Sequence, residues 1–162
     1  MSITDALLGK PFDQVAFAVH NVAAQSAFVK TLGGDWVSDY VKTEGEVLGH
    51  GGKKNLAKLM FNYDFGPVEY EVLCYLEGDS WLTNQQIVPV NRPIASHYGW
   101  HVDNPDPYSR KLEDLGFDKA QDVHTVSHTN PFLVEQGRSY RYVIHRARNT
   151  LGADIKLIQR IE

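Results

Sequence analysis

One cysteine, Cys74, is all that the 162 residues contain. An internal disulfide is therefore excluded, and a reducing cytoplasm is the expected compartment. No apolar run comes near the roughly 20 residues that a membrane-spanning helix needs. The opening residues lack the charged and apolar regions of a secretory leader, so no export is expected. Positive charge is not concentrated either. Sixteen Lys and Arg stand against 20 Asp and Glu, for a formal net charge of −4. Without a basic stripe interleaved with aromatics, nucleic acid is not an expected partner. Without a polybasic cluster, neither is a membrane surface. Glycine-rich phosphate loops and Cys-x-x-Cys pairs are absent, as are low-complexity segments and linkers. Cys74 has no sequence neighbour that would mark it as a nucleophile and reads as core filler. A hydrophobic content of 43% is ordinary for a globular protein. The length suits one compact unit or two small halves sharing a core.

What is present is a pattern written twice. In Ser96–Asp103, His97, Gly99 and His101 fall on one side of an extended strand, and Tyr98, Trp100 and Val102 on the other. Asn104-Pro105 follows as a helix cap and first helical residue. Tyr108, Leu112 and Leu115 then form a helix face that Gly116 terminates. Asp13–His20 begins in the same way, with Gln14, Ala16 and Ala18 opposed to Val15, Phe17 and Val19. Asn21 is the cap, Phe28 and Leu32 mark the helix face, and Gly33 is the stop. Gln14 to Gly33 spans 33 − 14 = 19 positions, and His97 to Gly116 spans 116 − 97 = 19. The match reads as an internal duplication.

The rest of each half continues alike. Strands are expected over 35–43, 56–63 and 68–76, with a loop over 44–54 and a turn at 64–67. In the second half, strands are expected over 120–127, 139–146 and 153–161, with a loop over 127–137 and a turn at 149–152. The expected layout is one domain over 1–162, made of a βαβββ module at 11–77, a connector at 78–93 and a βαβββ module at 94–162. Trp81, Leu82, Ile87 and Val88 imply that the connector packs on something.

Two such modules, with these strand starts, resemble the vicinal oxygen chelate superfamily, which includes glyoxalase I, methylmalonyl-CoA epimerase, extradiol dioxygenases and bleomycin-resistance proteins. The resemblance covers nearly the whole chain. It implies an α+β fold, in which the tandem modules form a cup-shaped mixed sheet around one site. In the metal-dependent isomerases of that group, ligands come from the first and last strands of each module. Those positions fall here on Gln14, His97, Glu71 and Lys156. Gln14, Glu71 and His97 resemble the glyoxalase I type of site and imply a divalent ion such as zinc, nickel, manganese or iron. Lys156 departs from the pattern, because a glutamate is usual there. The His-His-Glu iron set of extradiol dioxygenases is not present at the matching positions.

Oxygen and nitrogen donors of this kind suit a borderline or hard divalent ion acting as a Lewis acid. An ammonium, by contrast, has no lone pair to donate. The competing arrangement is an ion pair between Glu71 and Lys156, with Gln14 and His97 hydrogen-bonding around it. His101 shares the strand face of His97 and is either a substrate contact or a hydrogen-bonded residue at the pocket edge. Arg141 and His145 share a face of their strand. They would meet an anionic substrate, or else be a surface arginine and a strand-end histidine. Two functions follow. The first is a glyoxalase- or epimerase-like isomerase or lyase for a small oxygen-rich metabolite, with Glu71 and Lys156 as the catalytic pair. The second is a metal-free protein that sequesters a small molecule. A homodimer is implied by the resemblance alone.

Overall fold

The computed structural model describes residues 11–21, 23–25, 27, 31, 36–47, 53–65, 68–77, 88–128 and 138–161. Eight strands form one mixed sheet: β1 (Gln14–Ala18), β2 (Trp36–Val47), β3 (Lys53–Phe65), β4 (Val68–Glu77), β5 (Ile94–His101), β6 (Lys119–His128), β7 (Arg138–His145) and β8 (Asp154–Ile161). Helix α1 (Asp106–Asp114) lies between β5 and β6, and the single turn α2 (Arg148–Leu151) between β7 and β8. The strand order β1-β4-β3-β2-β6-β7-β8-β5 closes on itself, so the expected cup is a closed barrel. Closure gives each of the eight described strands a neighbour on both sides.

The register carries the repeat. β1 runs parallel to β4 and antiparallel to β5, while β5 runs parallel to β8. Gln14 faces Gly99 across the β1–β5 seam, and Ala16 faces His97. These two pairs exchange under one offset, since 97 − 14 = 83 and 99 − 16 = 83. On the far sides, Glu71 stands opposite Ala16 and Lys156 opposite Gly99. Glu71 and Lys156 therefore occupy matching places.

Alternation along each strand separates two environments. Tyr98, Trp100 and Val102 point outward, where they pack with Leu112 and Tyr108 of α1 and with Val143, Ile155 and Leu157. Leu112 is fully buried there, and truncating it to alanine would cost about 2–5 kcal/mol. Val72 and Cys74 pack outward with Val19 and Ala24. The inward side of β1 and β4 carries Ala16, Ala18 and Leu73, and Val88 from the expected connector packs against them. Val123, Tyr142 and Ile158 fill another part of the interior.

An asparagine side chain closes the turn after each of β1 and β5, although α1 itself has no side-chain cap bond. The Asn21 side chain accepts from Ala24 N at 2.9 Å, and the Asn104 side chain accepts from Asp106 N at 3.0 Å. Helix α1 begins one residue later than expected, at Asp106, with Pro105 as its N-cap. Gly116 ends it at φ +87°, and Phe117 N bonds back to Leu112 O. Two expectations are corrected. Leu115 does not join the helix face: it is 39% exposed, because the chain turns there and Phe117 packs on the cluster instead. The expected loop over 44–54 is strand over 44–47 and 53–54, with Glu44 opposite Asn55, Gly45 opposite Lys54 and Glu46 opposite Lys53. β2 is paired on both sides, by β3 and β6, and two ladders hold a stretch that its glycine would weaken in isolation. Phe28, Leu32, Gly33, Trp81, Leu82, Ile87 and most of the 127–137 loop lie outside the described residues.

Candidate functional site

The two outer strand positions of each half bring four polar side chains into the barrel. Gln14, Glu71, His97 and Lys156 are all buried, with Glu71 at 0% and Lys156 at 1% exposure. Their neighbours on the same strand faces, Ala16 and Gly99, are small enough to let them meet. A Cβ on Gly99 would stand 3.0 Å from Gln14 Oε1 and 3.1 Å from Ile158 Cδ1. Gly99 is thus required by the close approach of a side chain.

Gln14 organises the hydrogen bonds. Its Nε2 donates to Glu69 Oε1 at 2.6 Å and more weakly to Glu71 Oε2 at 3.4 Å. Its Oε1 lies 3.0 Å from His97 Nε2, which therefore carries the proton of that contact. His97 Nδ1 then accepts from Ser96 Oγ at 3.1 Å. His97 Nε2 is also 3.5 Å from Glu71 Oε1, and Lys156 Nζ is 3.9 Å from the same oxygen. Lys156 Nζ sits 4.0 Å above the centre of the Tyr142 ring, at cation–π distance. Glu71 Oε1 and Lys156 Nζ have no hydrogen-bond partner among the described residues. Two orphaned groups of opposite sign, buried and facing each other, leave a donor and an acceptor for a third participant.

Burial pushes the Lys156 amine below its ordinary value, with Glu71 and Glu69 opposing that shift. Burial also raises the Glu69 carboxyl, and the Glu71 charge adds to the rise, against Gln14, His101 and Lys156. Glu69 therefore holds its proton more firmly than an ordinary carboxyl.

A divalent ion fits this set by spacing but not by charge. His97 Nε2 is 3.0 Å from Gln14 Oε1 and 3.5 Å from Glu71 Oε1, close to the ~3 Å between donors that each lie about 2.1 Å from one ion. The fourth position offers an ammonium instead of a carboxylate. Among the described residues no group of three His, Cys, Asp or Glu is arranged to hold a metal ion.

The structure brings together Gln14, Glu71, His97 and Lys156, and leaves Arg141 and His145 out. Both lie on the outer face of β7. Arg141 binds Asp122 through two hydrogen bonds of 2.8 and 2.7 Å and reaches Asp106 of α1 at 2.9 Å. Those partners hold it strongly protonated and keep Asp122 below the usual carboxylate range. His145 accepts from Ser109 at 2.9 Å and donates to Phe117 O at 2.8 Å, and burial lowers its pKa. They tie helix and turn to the barrel. His101 is exposed at the end of β5, and its backbone N–H bonds Asp13 Oδ2. Sequence reasoning missed Glu69 and Tyr142. The signal for Glu69 was its place two residues before Glu71, on the same strand face; for Tyr142 it was only strand parity. A cavity of about 440 Å³ lies between Gly116–Gln121 and Ile144–Thr150, with Asp154 also lining it, and none of the four side chains lines it.

The closed barrel, with its polar groups across the seam of the two first strands, is similar in fold to solved methylmalonyl-CoA epimerases. Methylmalonyl-CoA epimerase from Mycobacterium tuberculosis aligns over 94% of this chain and 89% of its own, with a TM-score of 0.52 and 14% identity. A variant of the Streptomyces coelicolor methylmalonyl-CoA epimerase, solved with 2-nitronate-propionyl-CoA, aligns over 94% and 99%, with a TM-score of 0.50 and 14% identity. No protein-family model matches the sequence, and no curated protein matches it.

Proposed function

We propose that this protein is an epimerase-like isomerase that moves a proton at the carbon next to a carbonyl in a small, oxygen-rich metabolite. One observation carries the reading: Glu71 Oε1 and Lys156 Nζ, both buried, face each other at 3.9 Å without hydrogen-bond partners among the described residues. A substrate carbonyl oxygen would accept from the Lys156 ammonium. Glu71 would take the proton from the adjacent carbon, and the C–H electron pair would shift into the carbon–carbon bond as the carbonyl becomes an enolate. An ammonium about 4 Å from a developing oxyanion is worth about 4 kcal/mol at an effective dielectric of 20. Glu69, protonated more readily than an ordinary carboxyl, would return a proton to the same carbon, after which Glu71 would release its proton to solvent and Glu69 would take one up from solvent. His97 and Gln14 would position Glu71. The exposed His101 and the half-buried Glu69 mark the barrel end from which a substrate would approach.

The similarity of fold to epimerases supports this class of reaction and leaves the substrate open. The test is solvent exchange: acyl-CoA thioesters branched at the second carbon and 2-hydroxy carbonyl acids are incubated with the protein in heavy water. Deuterium uptake at the carbon next to the carbonyl is expected for one of these classes. Binding without any uptake would instead favour the second reading, a sequestering protein, which the lysine in place of a second carboxylate also favours. The homodimer belongs to the same proposal, and a solution mass of one chain would overturn it.

A further inference from the structure

We infer that Lys156 is the barrel's resident cation, standing in the way of a divalent ion, so that this one side chain decides whether the site takes metal. Register places Lys156 opposite Gly99 as Glu71 is placed opposite Ala16, so the two residues are the paired outer positions of the site. A second carboxylate there would give an ion two negative charges. Lys156 supplies no carboxylate oxygen, and when protonated against Glu71 and the Tyr142 ring it adds a positive charge at 1% exposure. An ion bound to Glu71 Oε1 at about 2.1 Å could stand no farther than about 6 Å from Nζ, since 3.9 + 2.1 = 6.0. At that range, in a buried setting, the two cations repel strongly. Nζ also already has the surroundings of a bound cation: the face of Tyr142 at 4.0 Å on one side and Glu71 at 3.9 Å on another. Gln14 completes the arrangement, because its amide nitrogen is turned toward Glu69 and Glu71 and its oxygen toward His97. The interior is thus built around an organic cation that cannot leave.

The experiment is calorimetric titration of the chelator-treated, tag-free protein with zinc, nickel and manganese, for wild type, Lys156→Glu and Lys156→Gln. The wild type is expected to take up no stoichiometric ion. Lys156→Glu is expected to bind one equivalent at least a hundredfold more tightly than wild type, and to lose that affinity when His97→Ala is added. Lys156→Gln removes the charge without adding a donor, and an intermediate gain is expected. Circular dichroism identifies variants that fail to fold. If one fails the other carries the comparison, and if both fail the wild-type titration decides. Stoichiometric binding by wild type that disappears in His97→Ala would overturn the inference. So would folded variants that bind no better than wild type. No substrate is present, so the result is independent of whether proton transfer occurs.

Discussion

Glu71 Oε1 and Lys156 Nζ lie 3.9 Å apart inside the barrel, each buried and each without a hydrogen-bond partner among the described residues. A pair of this kind is costly to desolvate and more costly to break. Lys156→Met leaves the Glu71 carboxylate uncompensated and should lower the unfolding free energy by about 3–5 kcal/mol. Adding Glu71→Gln removes that charge and should recover much of the loss. Denaturant unfolding of the two single variants and the double variant gives the coupling directly. Strictly additive effects would show that the two groups do not interact.

Gly99→Ala tests the close approach across the β1–β5 seam. The new methyl would press on Gln14 Oε1 at 3.0 Å and on Ile158 Cδ1 at 3.1 Å. Overpacking of this kind costs about 1–3 kcal/mol. Because Gln14 Oε1 is also the partner of His97, the imidazole resonances of His97 should move with the loss of stability. An unchanged melting temperature would mean that the seam is looser than described.

Stability should also depend on pH through His145. Burial places its folded pKa below the ordinary 6.5, so the unfolded chain takes up the proton first. Stability is therefore complete above pH 6.5, falls as the pH drops through that value, and levels off once the folded form is protonated too. Protonation would also abolish the acceptor that Ser109 Oγ uses at 2.9 Å. His145→Phe should flatten this part of the profile, as read by denaturant midpoints between pH 5 and 8. A wild-type profile with no slope below pH 6.5 would contradict the assignment.

Arg141 separates structure from function. Arg141→Ala should cost about 2 kcal/mol, mostly from the two hydrogen bonds to Asp122, because Asp106 is 47% exposed. Arg141→Lys should restore only part of this, since an ammonium cannot reproduce the two-pronged contact. Ligand affinity and proton exchange should be unchanged in both variants. A loss of affinity without a loss of stability would return Arg141 to the substrate site.

Much of the fold was legible because strand parity and helix caps are local signals. The Gln14 and His97 strands, the turns at Asn21 and Asn104 and the Gly116 stop all follow from a few adjacent residues, although the helix cap falls on Pro105 and not on Asn104. Parity put Gln14 with Ala16, and His97 with Gly99, on one face of their strands, whereas Glu71 and Lys156 were reached only through the family resemblance, which points to the last strand of each module. Arg141 and His145 were misplaced because parity says that two residues share a face but not which face looks inward. That depends on α1 covering β7, where Asp106 and Ser109 wait for them. Leu115 was misread because a helix period carries on in sequence past the point where the chain has already turned. The 44–47 segment was read as loop from its glycine, since pairing on both sides by β3 and β6 is a tertiary fact that no window of sequence contains.

The central claim is that ligand is received inside the barrel, at Gln14, Glu71, His97 and Lys156. Histidine-selective carbon-13 labelling tests it most directly, with the imidazole signals assigned by His97→Gln and His145→Phe. The labelled protein is titrated with the branched acyl-CoA and 2-hydroxy acid probes of the exchange assay. A saturating probe should shift His97, which touches both Gln14 and Glu71, and leave His145 beneath α1 unmoved. A probe that saturates the protein while His97 stays still, and that shifts His145 instead, would place the site on the outer face and contradict the account.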